Sequence, residues 1–536
     1  MRISHLYSLV KPFKQTRLSI NPFLSWSLLM VLGFGCMQAQ ESPDRWNKFI
    51  RSYPDKHFST WIKNAQVLDG TGNPSFPADL ITLDDRIVYV GPVLDTSLRI
   101  DRIIEASGLY LAPGFIDAHA HGNPLKEDAF VNFLAMGVTS VCLGQDGTSP
   151  MTEDIREWFN RVNSVPQLIN IIPMVGHGTL RVLSGIQYAK QPDRILLDAM
   201  MKLLDDALKV GCFGLTTGLE YEPGGFADSM ELNLLAKTTG SYHRLIMSHI
   251  RNEDDDVLLQ SINELARLGK YTPVQVSHIK SVYGKGKDRG LEILAELHRL
   301  RADGIPITQD WYPYTASYTG LSILFPEWAK PPNDYTKAVR ERKSELQQYL
   351  SDKVNSRNGP DATLFGSGPY QGLTLTDVSS RNGKPFEDIL IELGPSGASA
   401  AYFIMDEALQ SELLKDSMTM ICSDGSPDMY HPRGYGSFVK IITDYVRDKQ
   451  VLTLPEAVRK MTGLPASTLQ LEDRGTIREG NYADLILFNP EKLQAPATYQ
   501  NPHELAQGME WVLVNGQEAW HNESIQLHAG QLLLKK

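Results

Sequence analysis

Cysteine is scarce in this sequence, with four residues among 536. A framework of disulfide bonds is therefore not needed to explain its stability, because a chain of this length can bury a sufficient core without one. Three of the four, Cys142, Cys212 and Cys422, lie in apolar, strand-like segments. We expect these three to be buried free thiols.

Positive charge is also in deficit, since 52 lysine and arginine residues stand against 63 aspartate and glutamate residues, a net charge of -11. This balance gives no basic surface for nucleic acid. The remaining composition, 42% hydrophobic and 21% charged, is typical of a soluble globular protein. We therefore expect a small molecule as the partner, and no nucleic acid.

The uncharged run at residues 23–35 is shorter than the roughly 20 residues that a membrane-spanning helix needs. Four basic residues precede it within the first 17 positions, and a polar stretch follows it. This order predicts a secretion signal over residues 1–39. Cys36 occupies the position at which a bacterial lipoprotein is acylated, and cleavage near Ala39 is the alternative. We expect an exported protein, periplasmic or lipid-anchored to the cell envelope of a bacterium.

The middle of the chain repeats one pattern eight times: a short apolar run that ends in a polar residue, in most cases followed by a helical pattern. The runs are residues 114–119, 140–144, 169–175, 213–217, 245–249, 274–278, 305–310 and 418–424. Eight such units predict an α/β fold, a (β/α)8 barrel of the TIM type.

Short β-branched segments at both ends of the chain predict a second, smaller domain. We expect a small β-sandwich built from residues 40–112 and 476–536, with the barrel at residues 113–475. Between the seventh and eighth strands lies an insertion at about residues 320–415, far longer than an ordinary connection. It predicts an inserted subdomain or lid.

Polar side chains with metal-binding chemistry recur where the predicted strands end. Only 13 histidines exist in the chain, yet five of them fall at these positions together with two aspartates. The active site of such a barrel lies at the carboxyl ends of its strands, and converging imidazoles suit a divalent metal. The candidates are His119, His121, Asp146, His177, His249, His278 and Asp424.

The first strand carries the most specific of these signals, the run APGFIDAHAH from Ala112 to His121. Because alternate residues of a strand point to the same side, His119 and His121 can present both imidazoles to one ion. The run resembles the first-strand signature of the amidohydrolase superfamily. Two further superfamily histidines match His249 and His278, and the catalytic aspartate matches Asp424.

Several blocks resemble the D-aminoacylase family, the N-acyl-D-amino-acid deacylases, and they occur in that family's order. The resemblance covers nearly all the chain after about residue 60. The blocks are VGHGTLR at 175–181, GLTTGLEY at 214–221, SHIRNE at 248–253, SHIK at 277–280, DWYPYTA at 310–316, SDG at 423–425 and HPRGYG at 431–436.

The resemblance implies hydrolysis of the linear amide of N-acyl-D-amino acids, with one or two Zn²⁺ ions as cofactor. The metal ligands would be drawn from His119, His121, Asp146, His249, His278 and Asp424. A water activated by the metal would attack the acyl carbonyl, and Asp424 would take the proton of that water and return it to the leaving amine. His177 would help to bind the carbonyl or the oxyanion, with a structural role between two glycines as the alternative.

Asp146 departs from the family pattern. The family has Gly-Asn-Cys-Gly after the second strand, with the cysteine a metal ligand, whereas this chain reads Gly144 to Gly147 as GQDG. A carboxylate can bind zinc, so Asp146 can replace the thiolate and alter metal preference. A role for Asp146 in the loop turn is the alternative.

Substrate binding would require a cation for the α-carboxylate, and Lys280 resembles the family's carboxylate-binding lysine. Tyr221 and Tyr312 resemble its pocket tyrosines. Arg433 is a further substrate-binding candidate, with pairing to a carboxylate such as Glu253 as the structural alternative, which also holds for Arg251.

The segment TGLSILF at residues 319–325 contains no basic residue. Family members specific for acidic side chains have an arginine in this neighbourhood, so the resemblance implies a preference for neutral or apolar side chains. In addition, Tyr318 stands where the family often has a small hydroxyl residue, which puts the carboxylate contacts at that position in doubt.

Two other functions compete with the deacylase. One is a related amidohydrolase acting on dipeptides or cyclic amides, of which many carry a carboxylated lysine on the fourth strand. The segment at residues 213–218 has no lysine, which counts against it. The other is a catalytically inactive surface binding protein on the same scaffold, whose mark would be the loss of metal ligands.

Overall fold

The computed structural model describes residues 43–95 and 97–536. The predicted signal at residues 1–39 and the predicted acylation site Cys36 lie outside the described residues. The described part begins with a helix over residues 43–52. None of the helices within these residues combines the length and the apolar composition needed to cross a membrane.

Eight parallel strands form the centre of the molecule, and we label them β1 to β8. They are β1 (Phe115–Asp117), β2 (Val138–Leu143), β3 (Asn170–Pro173, continued by Val175–Gly176), β4 (Gly214–Gly218), β5 (Leu245–His249), β6 (Val274–Val276), β7 (Ile307–Trp311) and β8 (Thr419–Ile421). Each pairs in parallel with the next in chain order.

The barrel closes between its last and first strands. Just beyond the ends of β1 and β8, Ala120 and Gly425 form a parallel bridge. The His121 amide donates to the Gly425 carbonyl at 2.7 Å, and the Asp424 amide donates to the His119 carbonyl at 2.9 Å. The predicted closed barrel is therefore confirmed, and its closing hydrogen bonds run through three of the predicted site residues.

Helices follow the strands and bury one face each. One of them, Arg194–Lys209, begins after Asp193, whose carboxylate accepts from the Leu196 amide at 3.0 Å. It buries apolar residues three or four positions apart between Leu197 and Leu208, as a helix that packs on a barrel should.

The other barrel helices, in chain order, are Val131–Ala135, Ile155–Asn163, His177–Leu183, Ser229–Ser241, Leu258–Ala266, Gly286–Ala302, Glu407–Lys415, Arg433–Lys440, the π-helical Ile441–Asp448, Leu454–Met461 and Gly463–Thr468, with short 3₁₀ turns at Gly224–Phe226 and Arg267–Lys270.

Strands from both ends of the chain build the smaller domain, as the sequence predicts. They are His57–Val67, Phe76–Leu83, Arg86–Gly91, Arg99–Glu105, Tyr110–Pro113, Leu485–Phe488, Met509–Val514, Gln517–His521 and Ser524–Ile525. The strand Tyr110–Pro113 joins the two groups, because it pairs in parallel with His57–Val67 and antiparallel with Leu485–Phe488. The hydrogen-bonded ladder runs through all nine strands as one sheet.

The long connection between β7 and β8 contains a subdomain, residues 316–404, which we call the inserted subdomain. It has a three-stranded antiparallel sheet and a hydrophobic core of its own. Its elements are the strands Ala316–Gly320, Thr363–Phe365 and Ser399–Phe403, the helices Tyr335–Ser356, Leu375–Asn382 and Phe386–Leu393, and the 3₁₀ turns Leu321–Leu324, Glu327–Ala329, Pro360–Ala362 and Gly368–Tyr370.

The insertion ends about ten residues before the expected residue 415. The helix Glu407–Lys415 lies along Gly286–Ala302 and directly precedes β8. It therefore belongs to the barrel, and the sequence pattern alone did not distinguish it from the helices of the insertion.

Candidate metal centre and substrate cavity

A cavity of about 330 Å³ opens at the carboxyl ends of the barrel strands. Five of the predicted metal ligands line it, and His119 lies completely buried beneath them. The five are His121, Asp146, His249, His278 and Asp424. The structure thus brings all six predicted ligands to one end of the barrel.

Asp146 lies at the centre of the ligand cluster. One of its carboxylate oxygens is 3.3 Å from His119 Nε2 and 3.3 Å from His278 Nε2. The other is 3.5 Å from His121 Nε2, which in turn lies 3.2 Å from Asp424 Oδ1. Donor atoms of His119, Asp146, His278 and Asp424 all fall within 4.8 Å of one another. Asp146 lies in the loop after β2 with φ 52°, and its carboxylate is directed at these imidazoles.

Three of these residues have left-handed backbones: φ is 52° at Asp146, 35° at His278 and 48° at Asp424. Such conformations cost about 1–3 kcal/mol each for residues other than glycine. Neighbouring groups hold two of them in place, since the His278 amide donates to Asp310 Oδ1 at 2.5 Å and the Asp424 amide donates to the His119 carbonyl. These strained conformations direct the side chains of Asp146, His278 and Asp424 toward a common point.

The carboxylates of the cluster raise the pKa values of two of its imidazoles. Burial lowers the pKa of His121, but Asp146 and Asp424 outweigh it and raise the pKa to about 9. Burial and Lys280 lower the pKa of His278, and the same two aspartates raise it to about 10. A divalent metal bound between these imidazoles and carboxylates would compete with protons for the same nitrogen atoms.

His119 supplies a direct test of whether the residues fit a metal. Its ring is completely buried, and neither ring nitrogen has a hydrogen-bond partner. Its Nε2 faces Asp146 at 3.3 Å and Asp424 at 3.7 Å. A buried nitrogen without a partner is costly unless something else satisfies it. The nitrogen and oxygen donors around it are those that zinc accepts, so the residues fit a divalent cation.

Sulfur does not take part in this cluster. Cys142 and Cys422 are free and buried, as is Cys212, which confirms the expected thiols. Cys142 Sγ lies 3.3 Å from Gln145 Nε2, and Cys422 Sγ donates to Asp310 Oδ1 at 3.2 Å. Burial raises the pKa of both thiols. The ligand set therefore consists of imidazole and carboxylate.

His249 connects the cluster to two glutamates that the sequence analysis did not assign to the site. Its Nδ1 is 3.0 Å from His278 Nε2, and its Nε2 is 2.9 Å from Glu220 Oε2. Donor atoms of His249, Glu253 and His278 form a second group that could hold an ion. Glu220 lies two residues past the end of β4, so its position at a strand end was the signal that could have identified it.

Lys280 lines the cavity, but its ammonium already has an internal partner. The Nζ donates to Glu253 Oε1 at 2.7 Å and lies 2.7 Å from His278 Nδ1. Although burial disfavours the charge, Glu253 raises the pKa of Lys280, and Lys280 in turn holds the pKa of Glu253 low. Glu253 thus pairs with Lys280, while Arg251 pairs with a different carboxylate, that of Glu264, at 2.8 Å, in line with the structural alternative for Arg251.

Arg433 contacts the catalytic candidate rather than a glutamate. Its Nη1 lies 2.8 Å from Asp424 Oδ2, and its guanidinium is 5.0 Å from the centre of the Tyr312 ring. The Tyr312 hydroxyl is buried and has no hydrogen-bond partner. Tyr221 lines the cavity with its ring 4.5 Å from that of His249. Tyr221 and Arg433 therefore line the cavity beside the ligand cluster, whereas the buried Tyr312 is not among the lining residues and contacts Arg433 instead.

His177, which the resemblance predicts to help bind the carbonyl or the oxyanion, lies apart from them. Its ring is completely buried and its Nε2 lies 2.7 Å from Glu231 Oε1. Both oxygens of the Glu231 carboxylate also accept hydrogen bonds from Arg181 Nη1, at 2.7 and 2.6 Å. His177 is not among the cavity-lining residues. The structural alternative therefore describes it better, because its imidazole faces an internal ion pair.

The inserted subdomain contributes one wall of the cavity. Its lining residues are Ser317, Tyr318, Thr319, Ile323, Arg357 and Ile404. The Tyr318 hydroxyl is hydrogen-bonded to Ser399 Oγ at 2.6 Å, so it is held within the subdomain. The segment 319–325 contributes no basic residue, as the sequence states, but Arg357 brings one from 32 residues further along the chain.

The chain is similar to known proteins in sequence and in fold. Residues 411–519 match the profile described as "Amidohydrolase family". N-acyl-D-glutamate deacylase from Alcaligenes xylosoxydans xylosoxydans is 32% identical over 484 residues, which are 85% of this chain and 92% of that protein. D-aminoacylase from the same organism is 30% identical, covering 89% of this chain and 98% of that protein.

A solved structure is similar to this chain in fold. The crystal structure of N-acyl-D-glutamate deacylase from Bordetella bronchiseptica, in complex with zinc and a phosphonate that mimics the tetrahedral intermediate, matches with a TM-score of 0.77 and 29% identity. The match covers 89% of this chain and 100% of that chain.

Proposed function

The chain belongs to the D-aminoacylase family of amidohydrolases, and from this premise we propose that it hydrolyses N-acyl-D-amino acids to a carboxylic acid and a free D-amino acid. The observation that carries the proposal is the convergence of His119, His121, His278 and two aspartates on one point at the cavity floor. The D configuration of the substrate follows from the relatives and not from any single residue.

The cofactor is a divalent metal, with zinc as the expected ion. His119, His121, His278, Asp146 and Asp424 would hold one ion, and the neighbouring group of His249, Glu253 and His278 offers a second position. When bound, the metal supplies Lewis acidity, which lowers the pKa of water and polarises the acyl carbonyl.

Asp424 is the proton carrier that the geometry favours. Its Oδ2 is occupied by Arg433, whereas its Oδ1 faces His121 and the cavity. Burial would raise the pKa of Asp424, but Arg433 and His278 hold it well below its usual range. The carboxylate is therefore ionised, ready to accept the proton of the attacking water at Oδ1 and to deliver it to the departing amine.

Lys280, Tyr221 and Tyr312 are the residues that we expect to receive the amino acid half of the substrate. Lys280 stays charged through its pairing with Glu253, so a substrate carboxylate would share its ammonium. The Tyr312 ring centre lies 5.8 Å from the Lys280 Nζ, and its buried hydroxyl has no partner, so it would serve the substrate only if it became accessible from the cavity.

A panel of N-acetyl-D- and N-acetyl-L-amino acids tests the activity, with release of free amine as the readout. We expect turnover of D-substrates, loss of turnover after treatment with a chelator, and recovery on addition of zinc. Turnover of L-substrates alone would refute the D-specific function. Unchanged turnover after treatment with the chelator would refute the metal requirement.

Metal content, measured on purified protein by mass spectrometry, tests the ligand set without reference to activity. We expect Asp146→Ala to lose most of its bound metal, because that carboxylate touches three of the imidazoles. The matched control is Cys142→Ala, four residues earlier, which removes a thiol that lies outside the cluster. Equal metal content in the two variants would contradict the assignment of Asp146.

We also propose that the protein is exported, either to the periplasm or to a lipid-anchored position at the cell envelope. The support is the order of basic, uncharged and polar segments in the first 44 residues. Mass spectrometry of the mature amino terminus tests this proposal. An uncleaved amino terminus in the native host would refute it, whereas a lipid on Cys36 would select the anchored form.

A further inference from the structure

Arg357 is a buried arginine in the wall of the substrate cavity. It follows directly on the helix Tyr335–Ser356, with its amide bonded to the Val354 carbonyl at 3.0 Å, and it is 2% exposed. The chain then leaves the helix through Asn358 at φ 65° and Gly359 at φ 82°. This turn fixes the position at which the side chain enters the cavity.

The guanidinium of Arg357 has little to bind inside the protein. Among the described residues it forms no ion pair within 4.0 Å, its single side-chain hydrogen bond is to the Tyr283 hydroxyl at 3.4 Å, and its Nε has no partner. The rings of Tyr283 and Tyr402 lie 5.9 and 5.2 Å from it. A buried arginine is normally paired, because an unpaired buried charge costs several kcal/mol.

The other long cations of the cavity wall differ from Arg357 in this respect. Lys280 is paired with Glu253, and Arg433 is paired with Asp424. Asp254, next to Glu253, lines the same cavity; its ion pair is with Lys353 at 3.5 Å, and Arg357 acts on it only at a longer range than 4.0 Å. Within the described residues, Arg357 is thus the cavity cation with unused donors.

Its location relative to the metal centre follows from the segment after β6. His278, Lys280 and Val282, at alternate positions, all line the cavity, and the next residue, Tyr283, contacts Arg357. If the scissile amide lies at His278 and the α-carboxylate at Lys280, as the proposed function has it, then Arg357 lies beyond the α-carboxylate. It faces the amino acid half of the substrate and not the acyl half.

Apolar side chains also line the cavity. Val282, Ile323 and Ile404 line it, which suits the methylene groups of a side chain with a polar end. A carboxylate at that end can accept two parallel hydrogen bonds from a guanidinium, the strongest pairing that arginine forms. A neutral side chain would leave the guanidinium buried without a partner.

We propose that Arg357 binds the side-chain carboxylate of an acidic D-amino acid, so that N-acyl-D-glutamate or a similar acidic substrate is preferred. This inference rests on the proposed function, and it replaces the expectation of neutral or apolar side chains. That expectation considered residues 319–325 alone, whereas the cation comes from the far end of a helix in the inserted subdomain.

The test compares kcat/KM for N-acetyl-D-glutamate, N-acetyl-D-glutamine and N-acetyl-D-leucine. We expect the wild type to favour the glutamate over its neutral isostere roughly ten- to a hundredfold, the range for one charge-assisted contact. Arg357→Met should remove that preference, by lowering kcat/KM for the glutamate substrate relative to the glutamine and leucine substrates. Arg357→Lys should retain part of it, because the charge remains without the forked geometry.

The matched control is Arg340→Met, which removes an exposed arginine from the same helix and should leave the preference intact. If the Arg357 variants fail to fold, inhibition of the wild type by free D-glutamate and by free D-glutamine gives the same comparison without mutation. Equal inhibition, or equal turnover of the acidic and amide substrates by the wild type, would overturn the inference. Absence of turnover with every D-substrate would instead refute the proposed function.

Discussion

The ligand cluster at the cavity and the buried group of His177, Glu231 and Arg181 are built from the same residue types but have opposite properties. In the buried group, Arg181 and His177 both bind the Glu231 carboxylate within 2.7 Å, and all three side chains are excluded from solvent. In the cluster, the carboxylates of Asp146 and Asp424 face several imidazoles at 3.2 to 3.7 Å.

The backbones of the two groups differ as well. His177, Arg181 and Glu231 lie on regular helices. By contrast, Asp146 and Asp424 lie just past strand ends in left-handed conformations. A histidine at a strand end is therefore not enough to identify a ligand. Distances that are too long for good hydrogen bonds, combined with backbone strain, distinguish the cluster from the buried group, where short hydrogen bonds join His177 and Arg181 to Glu231 although His177 Nδ1 has no partner.

Protonation separates the two groups in the same way. Burial lowers the pKa of His177 more than Glu231 raises it. The cluster's carboxylates instead raise the pKa of His121 and His278. Burial thus favours the neutral form of His177, whereas the carboxylates of the cluster favour positive charge at its imidazoles, which a metal cation would also supply. The comparison predicts that changes in the cluster affect catalysis, and that changes in the buried group affect stability.

Asp424→Asn gives the largest expected effect. Loss of the proton acceptor should lower kcat by about 10²- to 10⁴-fold, with a smaller change in KM. Folding should be retained, because asparagine tolerates a left-handed backbone. Steady-state kinetics and a thermal melt measure the two effects. Asp428→Asn, an exposed neighbour that pairs with Lys126, is the control and should keep full activity. Full activity of Asp424→Asn would contradict the prediction that changes in the cluster affect catalysis.

Glu231→Gln should have the next largest effect, on stability. Removing the charge leaves Arg181 buried without its counterion, which costs about 3 kcal/mol of unfolding free energy. Urea unfolding measures it, and the folded variant should keep its metal content and most of its kcat. Asp198→Asn breaks an exposed pair with Arg194 and should cost less than about 1 kcal/mol. A large fall in kcat with unchanged stability would place His177 and Glu231 in the catalytic machinery.

His177→Gln should give the smallest effect, a change in the pH dependence of stability. The folded pKa of His177 lies below its ordinary value of 6.5 because of burial. Below pH 6.5 the unfolded chain therefore binds a proton at this imidazole more readily than the folded chain does. The free energy of unfolding consequently decreases as the pH falls. The variant lacks this loss, and the stability difference between wild type and variant should shrink from pH 7.5 to 5.5. A difference that widens would mean that His177 is charged in the fold.

Much of the fold could be predicted from the sequence because its signals are local. Each barrel strand is a short apolar run that ends in a polar residue, and the helices that follow repeat apolar residues at three- or four-residue spacing. The six candidate ligands could be predicted for the same reason, since the carboxyl ends of barrel strands meet at one rim. The alternate spacing of His119 and His121 also predicted that both imidazoles face the same side of the chain.

The features that could not be predicted depend on contacts between distant segments. The pairing of Glu253 with Lys280 rather than with Arg251 is set by which side chains face the same wall, and no spacing encodes that. The burial of His177 depends on Glu231, 54 residues away. Arg357 reaches the cavity only because the inserted subdomain folds back over the barrel rim, so inspection of residues 319–325 could not identify it.

The separate hydrophobic core of the inserted subdomain has a consequence for enzyme engineering. Leu346, Leu350 and Phe365 pack within the subdomain, apart from the strands that carry the metal ligands. Residues 316–404 should therefore be exchangeable between relatives as one cassette, provided that Val282 and Tyr283, which pack against the same core, are transferred with them. Such a chimera would change which side chain is accepted while the hydrolytic chemistry stays the same.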